Sequence, residues 1–227
     1  MSHDTGETSA IADGPGSPDL TGPAALARRT VDVVLAVLLI VIVLLPMLFI
    51  ACAIRLEGGG PVLFRQRRVG QHGRVFTLLK FRTMRLGGDD AALRELIARE
   101  LRGEDTCEDG SSKLNRDPRV TRTGNLLRRT SFDELPQLFN VVRGDMALVG
   151  PRPCLEWEAE MFPPEFASRF TVPPGLTGLW QVSGRSRLGT LDMLRLDARY
   201  VRQRTFWSDM GILLRTVPAL LRGGGAR

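Results

Sequence analysis

Residues Arg119 to Pro153 read RVTRTGNLLRRTSFDELPQLFNVVRGDMALVGPRP, and the fold turns on how this stretch is read. It carries an adjacent acid pair, Asp133-Glu134, just ahead of an apolar run. Ser131 precedes Glu134 by three residues, the spacing of a capping box at a helix start. Leu135, Leu138, Phe139 and Val142 recur at i, i+3, i+4 and i+7, which makes one buried helical face, with Asp133, Gln137 and Asn140 on the other side. Pro136 leaves the register open. With Ser131 as N-cap, Pro136 falls at the fifth helical position and removes a backbone hydrogen bond. With Asp133 as N-cap, it sits in the first turn at no cost. In either register the Asp133 carboxylate is expected at the positive end of a helix, just downstream of Arg128 and Arg129.

Most Ser-x-x-Glu strings ahead of an apolar run are helix caps and nothing more. Here the surrounding residues suggest chemistry. An ionised carboxylate among arginines, beside a second carboxylate, suits reaction at a phosphate ester. The arginines bind and neutralise phosphate oxygens, and one carboxylate serves as nucleophile or metal ligand. Neighbouring helix positions point about 100° apart, so the two acids are expected to take different roles rather than share a proton.

The block SFDELPQLFNVVRGDMALVGPRP resembles the bacterial sugar transferase family, the monotopic phosphoglycosyl transferases that load a sugar phosphate onto a polyprenyl phosphate. The resemblance continues in VLFRQRRVGQHGRVFTLLKFRTM (Val62 to Met84), NRDPRVTRTGNLLRR (Asn115 to Arg129) and PPGLTGLWQVSGR (Pro173 to Arg185), and covers nearly everything from about Arg28 onward. It implies transfer of a hexose 1-phosphate from a UDP-sugar to undecaprenyl phosphate with release of UMP, at the start of exopolysaccharide, capsule or O-antigen synthesis. It implies Asp133 as nucleophile and ligand of a Mg²⁺ ion, and Glu134 as its orienting or proton-transferring neighbour. By the same resemblance Lys80, Arg82, Arg128, Pro151, Arg152, Pro153, Gln181 and Arg185 line a nucleotide and phosphate site, and Asp197 supports it from behind. Phe132, where the family usually has leucine, and Leu79, where it usually has an aromatic residue, depart from the pattern but spare the polar positions.

The bulk numbers agree with a membrane-surface protein handling phosphates. The net charge is +6 and the isoelectric point about 10.2. Lys80 and Lys113 are the only lysines, so the positive charge is almost all arginine. Such a balance suits anionic lipid, phosphate or nucleic acid. Cys52, Cys107 and Cys154 have no metal-ligand spacing and make no disulfide framework, which points to a reduced, cytoplasm-facing body. With His3 and His72 as the only histidines, a histidine-based mechanism and a structural zinc site are not expected.

Residues 1–23 are rich in Gly, Ser, Pro, Asp and Thr and read as a disordered tail without the basic region of a signal peptide. Residues 24–56 read as a membrane element. Val33 to Ile54 is an uncharged run of about 22 residues, long enough to cross a bilayer as a straight helix. Two features argue for a run that enters and returns. Pro46 interrupts it, and arginines flank both ends, Arg28 and Arg29 before and Arg55, Arg65, Arg67 and Arg68 after, so the positive-inside rule assigns both ends to the cytoplasm. The family resemblance implies the same re-entrant helix, with an Arg-x-x-Asp opening that matches Arg29 and Asp32. Leu45 stands where the family often has serine before the bend.

Residues 57–227 read as a cytoplasmic catalytic domain. Val62 to Phe64 and Val75 to Phe81 read as strands joined through Gly70 to Gly73. Gly87-Gly88 is a hinge, and Asp89 to Leu101 is a packing helix ended by Gly103. Met146 to Val149 reads as a short buried strand leading into a proline-fixed turn around Arg152. Leu155 to Phe170 reads either as an interface-lying amphipathic segment or as ordinary core. Pro173 to Gly178 reads as a loop and Trp180 to Val182 as a short strand. From Leu191 onward the pattern is helical, with Arg195, Arg199, Arg202 and Arg204 beside Tyr200, Phe206 and Trp207, a mixture expected at a membrane surface. The expected class is therefore α/β: a small membrane-associated domain on the cytoplasmic face of the bacterial inner membrane, with one re-entrant helix, interfacial helices and no additional N-terminal membrane domain. Two other classes fit part of this pattern. A membrane-tethered anionic-lipid or nucleic-acid binder explains the arginines but leaves the acid pair unused, and its affinity would fall steeply with salt. A glycoside hydrolase needs two carboxylates about 5 Å or more apart across a sugar, which adjacent residues serve poorly.

Overall fold

The computed structural model describes residues 22–58, 60–85, 90–104, 106, 119–184 and 188–221. Arg185, the Gly87-Gly88 hinge, Asn115 to Pro118 and all but the last residues of the proposed tail lie outside them.

The uncharged N-terminal run forms one helix, α1 (Pro23–Gly58), with Pro46 inside it. At 36 residues it is about 54 Å long, and among the described residues it is the one helix long and apolar enough to cross a membrane. A hairpin follows, β1 (Leu63–Val69) and β2 (Val75–Phe81), paired antiparallel from Leu63 with Phe81 to Val69 with Val75. After α2 (Ala91–Leu101) the chain enters α3 (Arg122–Thr130), α4 (Gln137–Arg143) and β3 (Ala147–Val149). Then come α5 (Glu156–Met161), a 3₁₀ segment (Pro164–Thr171), β4 (Gly175–Thr177), α6 (Leu179–Ser183), α7 (Thr190–Gln203) and α8 (Phe206–Leu221). β3 and β4 pair in parallel, and an isolated bridge joins Val69 of β1 to Cys154. Among the described residues the architecture is thus a mixture of helices with two small sheets.

Two sequence readings change here, and one that was open is resolved. Trp180 to Val182 lies in helix α6, and the strand is instead Gly175–Thr177, which had read as loop. The Pro173-Pro174 tract is held extended by its prolines, and the glycines let it approach β3 closely: a Cβ on Gly175 would meet the Gly150 nitrogen at 2.1 Å. Leu155 to Phe170 packs inward, with Phe166 buried against Met193, Leu194 and Ala198 of α7. Tyr200 is buried too, donating to Asp209 Oδ1 at 2.7 Å, so it is a core residue rather than an interfacial one.

The core runs through α1. Ala36 is sealed among Leu78, Leu138, Val141, Leu148 and Tyr200, while Met47 and Ile54 pack with Phe81 and Leu127. The two ends of α1 are fixed by helix-end chemistry of opposite sign. Arg29 donates to the Val141 and Val142 carbonyls at 2.6 and 2.9 Å, capping the negative end of α4. Glu57 accepts from the Arg122 and Thr123 amides at 2.7 and 3.0 Å, capping the positive start of α3. Asp32, one turn after Arg29, accepts from the Leu148 amide of β3.

Candidate active site

The site grows out of one hydrophobic cluster. Phe81, Leu127 and Leu135 pack with Met47 and Ile54 of α1. Each is the sequence neighbour of a polar residue, respectively Lys80, Arg128 and Glu134. Burial of the apolar member therefore places the charged one at the rim. α3 can come this close to the exit of β2 because residue 124 is glycine: a Cβ there would lie 2.1 Å from the Thr83 carbonyl oxygen.

The acid pair does not sit at a helix start. Ser131 adopts φ 60°, the left-handed conformation, and closes α3 as its C-cap. An N-cap needs extended backbone, so the Ser131 capping box does not form. Phe132–Glu134 is a single 3₁₀ turn, and α4 begins only at Gln137 with Pro136 as its N-cap, so the Asp133 register fails as well. The left-handed serine costs about 1–2 kcal/mol and turns the chain so that Asp133 and Glu134 face β2. The later start of α4 also shifts its buried face. Leu138 and Val141 are sealed with Gln137 and Asn140, whereas Phe139 is exposed. Asn140, expected on the outer side, accepts from the Leu79 amide at 3.0 Å and donates to the Thr77 carbonyl at 2.7 Å. One side chain thus fills the free edge of β2 next to Lys80.

Lys80 Nζ lies 2.9 Å from Glu134 Oε1. Asp133 is mostly withdrawn from water, and that burial pushes its carboxyl up to about 6; Lys80 and Arg128 pull it down and Glu134 pushes it up. Burial outweighs the stabilisation that a helix N-terminus was expected to give. The remaining predicted residues divide. Arg82 lies against Gly58 and Gly60 at the end of α1. Arg152, between Pro151 and Pro153, stands 5.9 Å from the Trp180 ring, and Gln181 Nε2 donates to the Leu176 carbonyl. Asp197 is buried against Arg169 at 2.8 Å. Because Cys154 bridges Val69 while Lys80 pairs with Phe64, the Pro-Arg-Pro turn adjoins the far end of the hairpin, about 17 Å of strand from Lys80. A shallow open cleft with a volume of about 10 Å³, between Val69, Gly70, Pro151, Arg152 and Phe170, marks that end. The arrangement suits an elongated substrate better than a lone phosphate. Arg68 and Arg169, which belong to this second end, were missed. Arg68 had read as a flank of the membrane run, and Arg169 lacked any local signal.

Comparison with known proteins bears on this geometry. The family model described as "Bacterial sugar transferase" matches residues 23–223. The galactosyl transferase CpsE of Streptococcus agalactiae is 38% identical over 89% of the chain and 44% of its own length. The undecaprenyl-phosphate galactose phosphotransferase of Salmonella typhimurium is 39% identical over 88% of the chain and 41% of its own length. The UDP-glucose:undecaprenyl-phosphate glucose-1-phosphate transferase of Caulobacter vibrioides is 42% identical over 91% and 74%. The chain therefore spans less than half the length of the first two relatives.

Proposed function

The chain belongs to the bacterial sugar transferase family, and from that premise we propose that it moves a hexose 1-phosphate from a UDP-sugar to undecaprenyl phosphate with release of UMP. The product would start an exopolysaccharide, capsule or O-antigen repeat. The observation that carries this reading is Asp133, a partly desolvated carboxylate raised to about 6 between Lys80 and Arg128. At neutral pH such a group is about nine-tenths ionised, yet it is stripped of much of the water that blunts a carboxylate nucleophile. Asp133 attacks the phosphorus that carries the sugar, and the bond to the bridging oxygen breaks as UMP leaves with the electron pair. An oxygen of undecaprenyl phosphate then attacks the same phosphorus, and the Asp133 carboxylate departs unchanged. Lys80 and Arg128 offset the charge that gathers on the phosphoryl oxygens, and Lys80 keeps Glu134 in place beside the nucleophile.

Among the described residues no three His, Cys, Asp or Glu side chains gather into a metal cage. Mg²⁺ does not need one: it is held by one or two carboxylates together with substrate phosphates and water. The Asp133 carboxylate would hold it. The ion would supply charge neutralisation for the diphosphate.

For the membrane element, the contacts of both ends of α1 support the part of the re-entrant reading that keeps those ends on one side, while the helix itself runs on through Pro46. A helix that crosses a membrane sends its ends to opposite sides of about 30 Å of hydrocarbon. Arg29 and Asp32 bond to α4 and β3, and Glu57 bonds to α3, all parts of one body. The outward residues between them, including Val41, Ile42, Leu45 and Phe49, are exposed and apolar, a surface suited to lipid tails. On α8, exposed Trp207, Leu214 and Val217 suit an interfacial position, and the arginine flanks favour the cytoplasmic face. The enzymatic reading is tested by offering detergent-solubilised protein a panel of UDP-sugars with undecaprenyl phosphate. UMP release with one or a few sugars is expected; no UMP and no lipid-linked sugar from any donor would contradict it.

A further inference from the structure

Arg152 sits in a turn whose backbone is held from two sides by buried arginines. Arg169 Nη2 donates to the Arg152 carbonyl at 2.8 Å and, at 2.8 Å, to Asp197 Oδ2 of α7. The Arg169 and Asp197 side chains are each only 1% exposed, and the guanidinium lies 4.9 Å from the Phe162 ring and 5.3 Å from the Phe170 ring. On the other side, Arg68 Nη1 of β1 donates to the Pro153 carbonyl at 3.2 Å. Arg68 is neutralised by Glu158, 3.5 Å away, whose Oε2 also accepts from the Leu155 amide. Two consecutive carbonyls, on residues 152 and 153, are therefore gripped by two guanidiniums from separate elements, each with its own acid.

Ordinary packing does not call for this device. Burying an ion pair costs several kcal/mol of desolvation per ion, and a packed apolar substitute is often as stable or more so. What the pairs provide is direction. The prolines on either side of Arg152 restrict its backbone, and the two grips hold the turn that carries its side chain. Charge points the same way. Asp197 and Glu158 pair with the two buried arginines, while the half-exposed Arg152 side chain forms no salt bridge among the described residues. Arg68 feels both its burial and the charge of Arg152, and is pushed down to about 10.

We infer that Arg68 and Arg169 are positioning residues that hold the turn carrying Arg152 toward the nucleotide end of the nucleotide-sugar donor, away from the phosphorus that Asp133 attacks. This rests on the proposed reading of Arg152 as a donor contact. The conservative variants Arg169→Lys and Arg68→Lys keep charge but lose the planar fork, and Asp197→Asn keeps the shape of the acid. Kinetics of the full chain with UDP-sugar and undecaprenyl phosphate separate the possibilities. Arg169→Lys is expected to raise KM for the UDP-sugar about tenfold, with KM for undecaprenyl phosphate changed by less than about twofold. In an Arg152→Ala background the same substitution is expected to change KM for the UDP-sugar by less than about twofold, because the residue it acts through is gone. If Arg169→Lys yields no folded protein by thermal unfolding, Asp197→Asn and Arg68→Lys run through the same cycle. Equal losses in both backgrounds, or equal effects on both substrates, would make the arginines purely structural and overturn the inference. Arg152→Ala with an unchanged KM for the UDP-sugar would instead remove Arg152 from the donor site, and the positioning role with it.

Discussion

Lys80 Nζ and Glu134 Oε1 meet at 2.9 Å across 54 positions of sequence, joining the end of β2 to the acid turn. The pair fixes where Asp133 stands and also tunes it, because Lys80 lowers the Asp133 pKa while Glu134 raises it.

The first prediction follows from those opposite signs. As the proposed nucleophile, Asp133 would have to be ionised to attack, so kcat/KM is expected to fall about tenfold per unit as pH drops below about 6. Removing the lysine with Lys80→Met takes away a cation that favours the charged form, and moves this acid limb to higher pH. Glu134→Gln takes away a neighbouring negative charge and moves it lower. Both variants will be slower, but the position of the limb is read from the shape of the profile. Limbs that stay put, or that move in the same direction in both variants, would show that Asp133 is not the group being titrated.

A second prediction concerns Asn140, which is fully buried and bonded to Leu79, Thr77 and Asp145. Asn140→Leu leaves the buried Leu79 amide without a partner and removes the donor to the part-buried Thr77 carbonyl. The expected loss is about 2–4 kcal/mol of stability, measured by thermal unfolding in detergent. Asn140→Asp keeps the acceptor for Leu79 but loses the donor to Thr77 and sets a carboxylate beside Asp145, so it is expected to fall in the same range. A variant of wild-type stability would show that the edge of β2 does not need this side chain.

Much of the chain could be read locally, and the places where local reading failed share a cause. The hairpin, α2 and β3 follow from alternation, periodicity and turn residues that lie within a few positions of one another. The acid turn does not. Ser131 and Glu134 match a helix-cap pattern, yet the partner of Glu134 is Lys80, on a strand far upstream. Asn140 reads as an outward polar residue until β2 supplies its partners. Arg68 reads as a membrane-flanking charge until Glu158 and the Pro153 carbonyl enclose it. At Trp180 to Val182 the segment is too short for a period of 2 to be told from one of 3.6. Glu134, Asn140 and Arg68 each find their partners on distant elements, beyond the reach of any local pattern.

The third prediction addresses the membrane element. Single cysteines introduced at positions 20 and 60 are expected to react with a membrane-impermeant reagent from the same, cytoplasmic side. Pro46→Leu removes the residue that interrupts the run, and a straight apolar helix of that length matches the hydrocarbon core, so this variant is expected to shift part of the population to opposite-side labelling. Opposite-side labelling in the unmodified sequence would establish a spanning helix and end the re-entrant reading.

The central claim is that Asp133 carries the phosphosugar. Enzyme incubated with Mg²⁺ and a donor labelled in the sugar phosphate, without undecaprenyl phosphate, is expected to release up to about one equivalent of UMP rapidly and to retain the label on protein. Adding undecaprenyl phosphate is expected to discharge that label into lipid, and initial-rate plots to be ping-pong. Asp133→Asn is expected to lose both the burst and the label while remaining in the membrane fraction. Sequential kinetics with no labelled protein would contradict the account and leave direct transfer between the two bound substrates.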